Sequence, residues 1–150
     1  MWIESSPEHD MNADPPSLLF LCVHNAGRSQ MAAGWARHLA GERAIVYTGG
    51  SEPASQINAA AVQAMDEVGI HIANQSPRRW SDDELREATV VVTMGCGDEC
   101  PVFPGVRYVD WPLDDPAGRS LEVVRRIRDE IRTGVTALLT EYGVAIELGS

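Results

Sequence analysis

The sequence predicts a single-domain α/β fold of three layers, α/β/α, around a four-stranded parallel sheet. Three observations predict it. Short apolar runs alternate along the chain with segments of helical periodicity, which is the pattern of a parallel sheet covered on both faces. The apolar runs are continuous, as strands buried on both faces require. The length of 150 residues suits one domain with one core.

Each element has its own signal. Residues 1–16 hold Ser, Pro, Glu, Asp and Asn without periodicity and are expected to form a mobile tail, leaving 17–150 as the folded domain. Leu18-Leu19-Phe20-Leu21-Cys22-Val23 reads as the first strand. Residues 29–40 carry Met31, Trp35 and Leu39 at helical spacing, with Gly41 as a stop. Residues 44–48 read as the second strand. Residues 58–68 read as a helix capped by Asn58 and ended by Gly69. Ser81-Asp82-Asp83-Glu84 opens a short acidic helix. Residues 89–94 and 106–111 supply the third and fourth strands. Residues 121–142 form a long last helix with Val124, Ile127, Ile131, Val135 and Leu138 as its apolar stripe. Its Arg125, Arg126, Arg128 and Arg132, with Glu122, Asp129 and Glu130, are expected on a solvated face. Trp35, Trp80 and Trp111 are expected to pack in the core or under loops, and His9, His38 and His71 to lie at the surface or in packing.

Composition narrows the function. Hydrophobic residues make up 44% and charged residues 23%, as in water-soluble globular domains. Formal net charge is -10, which opposes a nucleic-acid backbone or an anionic membrane as partner. Any anion site must therefore be built locally. No apolar run is long enough to cross a bilayer and the start lacks a secretory pattern, so the cytoplasm is expected. Three cysteines cannot all pair internally, and clustered cysteines in a reducing compartment point to catalysis, redox chemistry or metal.

The first strand ends in Cys22-Val23-His24-Asn25-Ala26-Gly27-Arg28-Ser29, immediately before a helix. A tight loop there turns successive backbone N–H groups inward, so the amides of Val23, His24, Asn25, Ala26, Gly27 and Arg28 make a nest for a tetrahedral oxyanion. The helix N-terminus adds its positive end, and the Arg28 guanidinium offers a two-pronged donor. Positive surroundings at the floor favour the Cys22 thiolate, to which Ser29 donates a hydrogen bond. Gly27 and Asn25 suit backbone with positive φ. The third strand runs into Gly95-Cys96-Gly97-Asp98-Glu99-Cys100-Pro101, and the fourth into Asp110-Trp111-Pro112-Leu113-Asp114-Asp115-Pro116. All three loops leave the carboxyl edge of a parallel sheet, where ligand sites gather. Cys96 and Cys100 then face Cys22, and flanking glycines permit a thiol relay. Asp115, held by Pro116, is the candidate acid for a departing oxygen. Other readings remain open: a zinc site from Cys22, Cys96, Cys100 and His24, a loop with incidental cysteines, and a solvated turn at Asp115.

Cys22 to Ser29 followed by Gln30-Met31-Ala32 resembles the arsenate reductases of the low-molecular-weight tyrosine phosphatase fold. Ile57-Asn58, Ala64-Met65, Val92-Thr93-Met94, Cys96 with Cys100-Pro101, and Trp111 through Asp114-Asp115-Pro116-Ala117-Gly118 extend the resemblance over residues 17–140. It implies that Cys22 attacks arsenate held by the loop amides and Arg28, and that Asp115 protonates the leaving oxygen. Cys96 would then release arsenite by forming a Cys22–Cys96 disulfide, and Cys100 would pass it on to Cys96–Cys100. Phosphate or sulfate would mimic the substrate. No bound cofactor or metal is implied; an external thiol reductant is, either thioredoxin or mycothiol with mycoredoxin. The retained third cysteine favours the internal relay with thioredoxin, while Gly95-Cys96-Gly97-Asp98 looks close to the mycothiol subgroup. The Cys96 to Cys100 loop is shorter than in the thioredoxin-coupled relatives. The acidic positions that hold a potassium ion in some relatives match Ala33 and Arg78, so that ion is not expected. A monomer is expected.

Two other functions compete. A phosphatase for phosphotyrosine or a small phosphoester would use the same loop, because phosphate and arsenate share shape and charge. Phosphotyrosine enzymes of this fold usually place aromatic residues beside the acidic loop, where this chain has Ala117-Gly118-Arg119. A non-enzymatic arsenite or metal sensor would need a DNA-binding or partner surface, and the acidic charge opposes that.

Overall fold

The computed structural model describes residues 15–95 and 103–146. In chain order its elements are β1 (Ser17–Cys22), α1 (Arg28–Ala40), a 3-10 turn (Gly41–Arg43), β2 (Ile45–Gly50), α2 (Ala59–Asp66), α3 (Asp82–Glu87), β3 (Val90–Thr93), β4 (Arg107–Asp110) and α4 (Leu121–Glu141). The sheet order is β2-β1-β3-β4, and every neighbouring pair is parallel. Element ends differ from the sequence-based limits by a residue or two, with α2 stopping at Asp66 before a turn. Of the expected tail, residues 1–14 lie outside the described residues. Pro16 belongs to the fold, because its carbonyl accepts the Ile45 N–H at 2.8 Å.

Period-two alternation divides β1 between two cores. Leu18, Phe20 and Cys22 face the larger core with α1, α2 and α4, while Leu19 and Leu21 face the smaller one with Trp80, Leu85 and Val91. Leu18 through Leu21 are fully buried, each stabilising the fold by roughly 1.5–3 kcal/mol. Helix α1 is buried almost throughout, and the Trp35 indole N–H ties it to α4 by donating to the Arg128 carbonyl at 3.2 Å. Side-chain caps fix the helix starts: Asn58 accepts from Ala61 N–H, Ser81 and Glu84 form a reciprocal box, and Ser120 accepts from Val123 N–H.

One expectation is corrected here. Arg125 and Arg128 are not simply solvated. Arg125 pairs with Glu67 at 2.6 Å, and Arg128 donates to Glu67 at 3.0 Å and to the Ala64 carbonyl at 2.8 Å. They join α4 to the end of α2, and the hydrogen bond from Arg125 is the largest of the effects that hold the Glu67 carboxyl below its ordinary range. Among the described residues no helix is long and apolar enough to cross a membrane.

Candidate active site

Strand β1 lies between β2 and β3, so the chain order reverses beside its carboxyl end. That is where open α/β sheets hold ligands. Cys22 is the last residue of β1, 2% exposed and unpaired. Residues 23–27 turn the chain from β1 into α1. Their carbonyls are all taken by donors of the chain: Val23 accepts from the Glu52 N–H, His24 from Ala54, Asn25 from Gln30 Nε2, Ala26 from Asn58, and Gly27 from Met31 in the first turn of α1. No backbone N–H from Val23 to Arg28 donates to a described residue. A run of successive amides left without acceptors, half of them on buried residues, suits an anion.

Cys22 Sγ lies 2.9 Å from Ser29 Oγ, on the first turn of α1. Asn25, fully buried with φ 51, takes the left-handed conformation expected of it. Its Nδ2 donates to Ser29 Oγ at 2.6 Å, and its Oδ1 accepts from the Arg78 backbone N–H at 2.9 Å. Gly27 is corrected. Its φ is -130, so it is not there for left-handed backbone. Instead a Cβ on Gly27 would stand 2.6 Å from Cγ of Pro116, so glycine is what lets the two loops touch.

Arg28 is 7% exposed and reaches across the loop to the segment after β4. It donates to the Leu113 carbonyl at 3.3 Å and lies 3.6 Å from Asp115 Oδ2. Asp115 is half exposed, and its Oδ1 accepts the Ala117 N–H at 2.9 Å, which fixes the carboxylate on its turn. Gly95, just after β3, has φ +86, and a Cβ there would meet the Arg28 guanidinium at 2.5 Å. The start of the loop after β3 thus packs on the arginine of the Cys22 loop. Cys96 and Cys100 lie outside the described residues, as does His9.

Cys22, Arg28, Asp115, Gly27 and Pro116 line one cavity of about 40 Å³, together with His24, Ala26, Asn58 and Ala117. That is room for about three water molecules by the same measure, or one small oxyanion. Among the described residues its only ring besides Pro116 is the His24 imidazole, whose Nδ1 is bonded to the Glu52 carbonyl at 3.0 Å. Sequence reasoning missed Asn58 as a lining residue, because its capping signal already explained it. It also missed Gln30, whose Nε2 bonds the Asn25 carbonyl at 2.9 Å and Oδ1 at 3.1 Å. Only its place after Arg28-Ser29 marked it. The tryptophans and His71 fall as expected: Trp35 and Trp80 are buried, Trp111 packs against the Phe20 ring, and His71 is exposed beside Asp66.

Known proteins resemble this chain in sequence and fold. The sequence profile of the low molecular weight phosphotyrosine protein phosphatases matches residues 17–146. A protein named arsenate reductase 2 from Staphylococcus epidermidis is 39% identical over 131 residues, covering 85% of this chain and 98% of its own length. Among solved structures, a Corynebacterium glutamicum thioredoxin-dependent arsenate reductase superposes with a TM-score of 0.73 at 37% identity, over 89% of this chain and 67% of that one. Another, described as an arsenate reductase in the phosphate binding state, gives 0.75 at 33% identity over 84% of this chain and 98% of its own. With its parallel four-stranded sheet and a cysteine loop at the sheet's switch point, the chain belongs to the low molecular weight phosphotyrosine protein phosphatase family.

Proposed function

We propose that the protein reduces arsenate to arsenite with Cys22 as nucleophile. The observation that carries this reading is a buried, unpaired cysteine, 2.9 Å from a serine hydroxyl, on a cavity sized for one oxyanion. The relatives named as arsenate reductases, at nearly 40% identity, support the choice of arsenate over a phosphoester. The small cavity supports it too, since among its described lining residues no Phe, Tyr or Trp is present to sandwich a phosphotyrosine ring.

The chemistry runs in balanced steps. The loop amides and Arg28 hold the arsenate oxygens. Cys22 thiolate forms a sulfur–arsenic bond, and a departing arsenate oxygen leaves as water with the proton of Asp115. Cys96 thiolate next attacks the Cys22 sulfur. A disulfide forms, the electron pair of the sulfur–arsenic bond passes to arsenic, and arsenite departs. Cys100 then attacks Cys96, returning Cys22 as thiolate and leaving Cys96–Cys100. No bound cofactor or metal enters these steps. A thioredoxin-type dithiol reduces the last disulfide; mycothiol with mycoredoxin is the other reductant class. The reducing cytoplasm keeps the three thiols available, and the chain acts as a monomer.

Cys100→Ser tests the relay. After one turnover the variant should stall with a Cys22–Cys96 disulfide, visible by peptide mapping. Sustained turnover of that variant with thioredoxin, or a map without this disulfide, overturns the relay.

A further inference from the structure

Asn58 stands where α2 begins, and the chain before it runs beside the oxyanion loop. Glu52, Ala54 and Asn58 give their backbone N–H groups to the Val23, His24 and Ala26 carbonyls at 2.8, 3.0 and 2.8 Å. Asn58 is therefore fastened to the loop that follows Cys22. All its polar groups but one are spent. Its N–H goes to Ala26, and its carbonyl accepts from the Val62 N–H at 3.1 Å. Its side-chain Oδ1 accepts from the Ala61 N–H at 3.0 Å. A backbone N–H only donates, so that branch of the side chain is the oxygen and the other is the NH2. Among the described residues, Asn58 Nδ2 has no acceptor.

Asn58 is also a wall of the Cys22 cavity, with Arg28 and Asp115. The space is about 40 Å³, so an oxyanion that enters it touches walls on several sides. Asp115 offers one proton to a departing oxygen and, once ionised, repels the rest. The Asn58 NH2 is a neutral donor with two hydrogens, able to pair with an anion oxygen. Asn, Asp and Ser cap a helix about equally well. Of the three, only Asn holds the cap with one atom and keeps an amide NH2 to spare.

We propose that Asn58 is an oxyanion-binding residue, its Nδ2 donating to an arsenate oxygen in the Cys22 cavity beside the loop amides and Arg28. The proposal rests on the reading of that cavity as the arsenate site. It gives the residue two separable tasks, since Oδ1 starts the helix and Nδ2 meets the ligand.

Variants that keep the first task and remove the second make the test. Asn58→Asp and Asn58→Ser both retain a capping oxygen, and Asn58→Asp turns a carboxylate oxygen toward the anion in place of the NH2. Gln56→Glu, exposed two residues earlier and outside the cavity lining, adds the same charge as a control. Inorganic phosphate is the probe, having the shape and charge of arsenate, and its dissociation constant is read by calorimetry on the reduced full-length protein at neutral pH. Asn58→Ser should weaken binding about tenfold, as loss of a hydrogen bond to a charged group does. Asn58→Asp should weaken it further, while Gln56→Glu stays near wild type. The KM for arsenate should rise with kcat changed less, and the urea midpoints of both Asn58 variants should stay near wild type. Wild-type phosphate affinity in Asn58→Asp overturns the proposal, and so does an equal loss in Gln56→Glu, which would be charge alone. Losses that only accompany a fall in the urea midpoint overturn it too, since the cap would then be their cause. Wild-type protein that binds neither phosphate nor arsenate removes the oxyanion reading of the cavity itself, a separate failure.

Discussion

Gly27→Ala places a methyl group where the oxyanion loop touches the acidic loop. The new Cβ would lie 2.6 Å from Pro116 Cγ, while carbon atoms rest about 3.5–4.0 Å apart. The proline ring is tied to its backbone and buried, so the segment bearing it must retreat by about 1 Å. Asp115 moves with it, away from Arg28 and the cavity. A misplacement of that size costs on the order of 10²-fold in a chemical step, and overpacking costs about 1–3 kcal/mol of stability. Adding Pro116→Ala removes the ring atoms at 2.6 and 3.5 Å and leaves the Pro116 Cβ contact at 4.0 Å, which is ordinary. The double variant should recover most of both losses. Single-turnover arsenite formation and urea unfolding read the two quantities. A Gly27→Ala protein with wild-type rate and stability refutes the argument, and so does a double variant no faster than the single one.

Two other predictions use the same assays. Asp115→Asn should slow adduct formation by about 10²–10⁴-fold while the fold survives, because the side chain is half exposed and an asparagine oxygen still accepts the Ala117 N–H. An unchanged rate would assign the proton to another group. Glu67→Gln probes the α2–α4 clamp. Arg125 and Arg128 hold the Glu67 carboxyl below its unfolded value, so its contribution is present above that value and is lost as pH falls through the folded one. Wild type should be the more stable at pH 7, and the gap should close as acid protonates the Glu67 carboxyl; a gap unchanged from neutral to acid pH would contradict the linkage.

The local signals in the sequence were strong where a single segment carries them. β1, with its continuous apolar run and the cysteine loop behind it, is legible because burial on both faces leaves no polar position. Asn58 and Ser81 are legible because caps act within one turn. What stayed hidden acts between distant segments. Gly27 reads as a residue chosen for backbone freedom, yet its reason is Pro116, far away in the chain. Arg125 and Arg128 read as solvated because helical periodicity reports a face and not the carboxylate waiting opposite it.

The central claim is that Cys22 begins an arsenate reduction completed by the chain's own thiols. Fully reduced protein mixed with excess arsenate, without external thiol, measures it directly by counting arsenite formed and thiols lost. The account predicts one arsenite and two thiols lost per chain. No arsenite under these conditions would contradict it, and arsenite appearing only once mycothiol is added would place the second electron-donating thiol outside this chain.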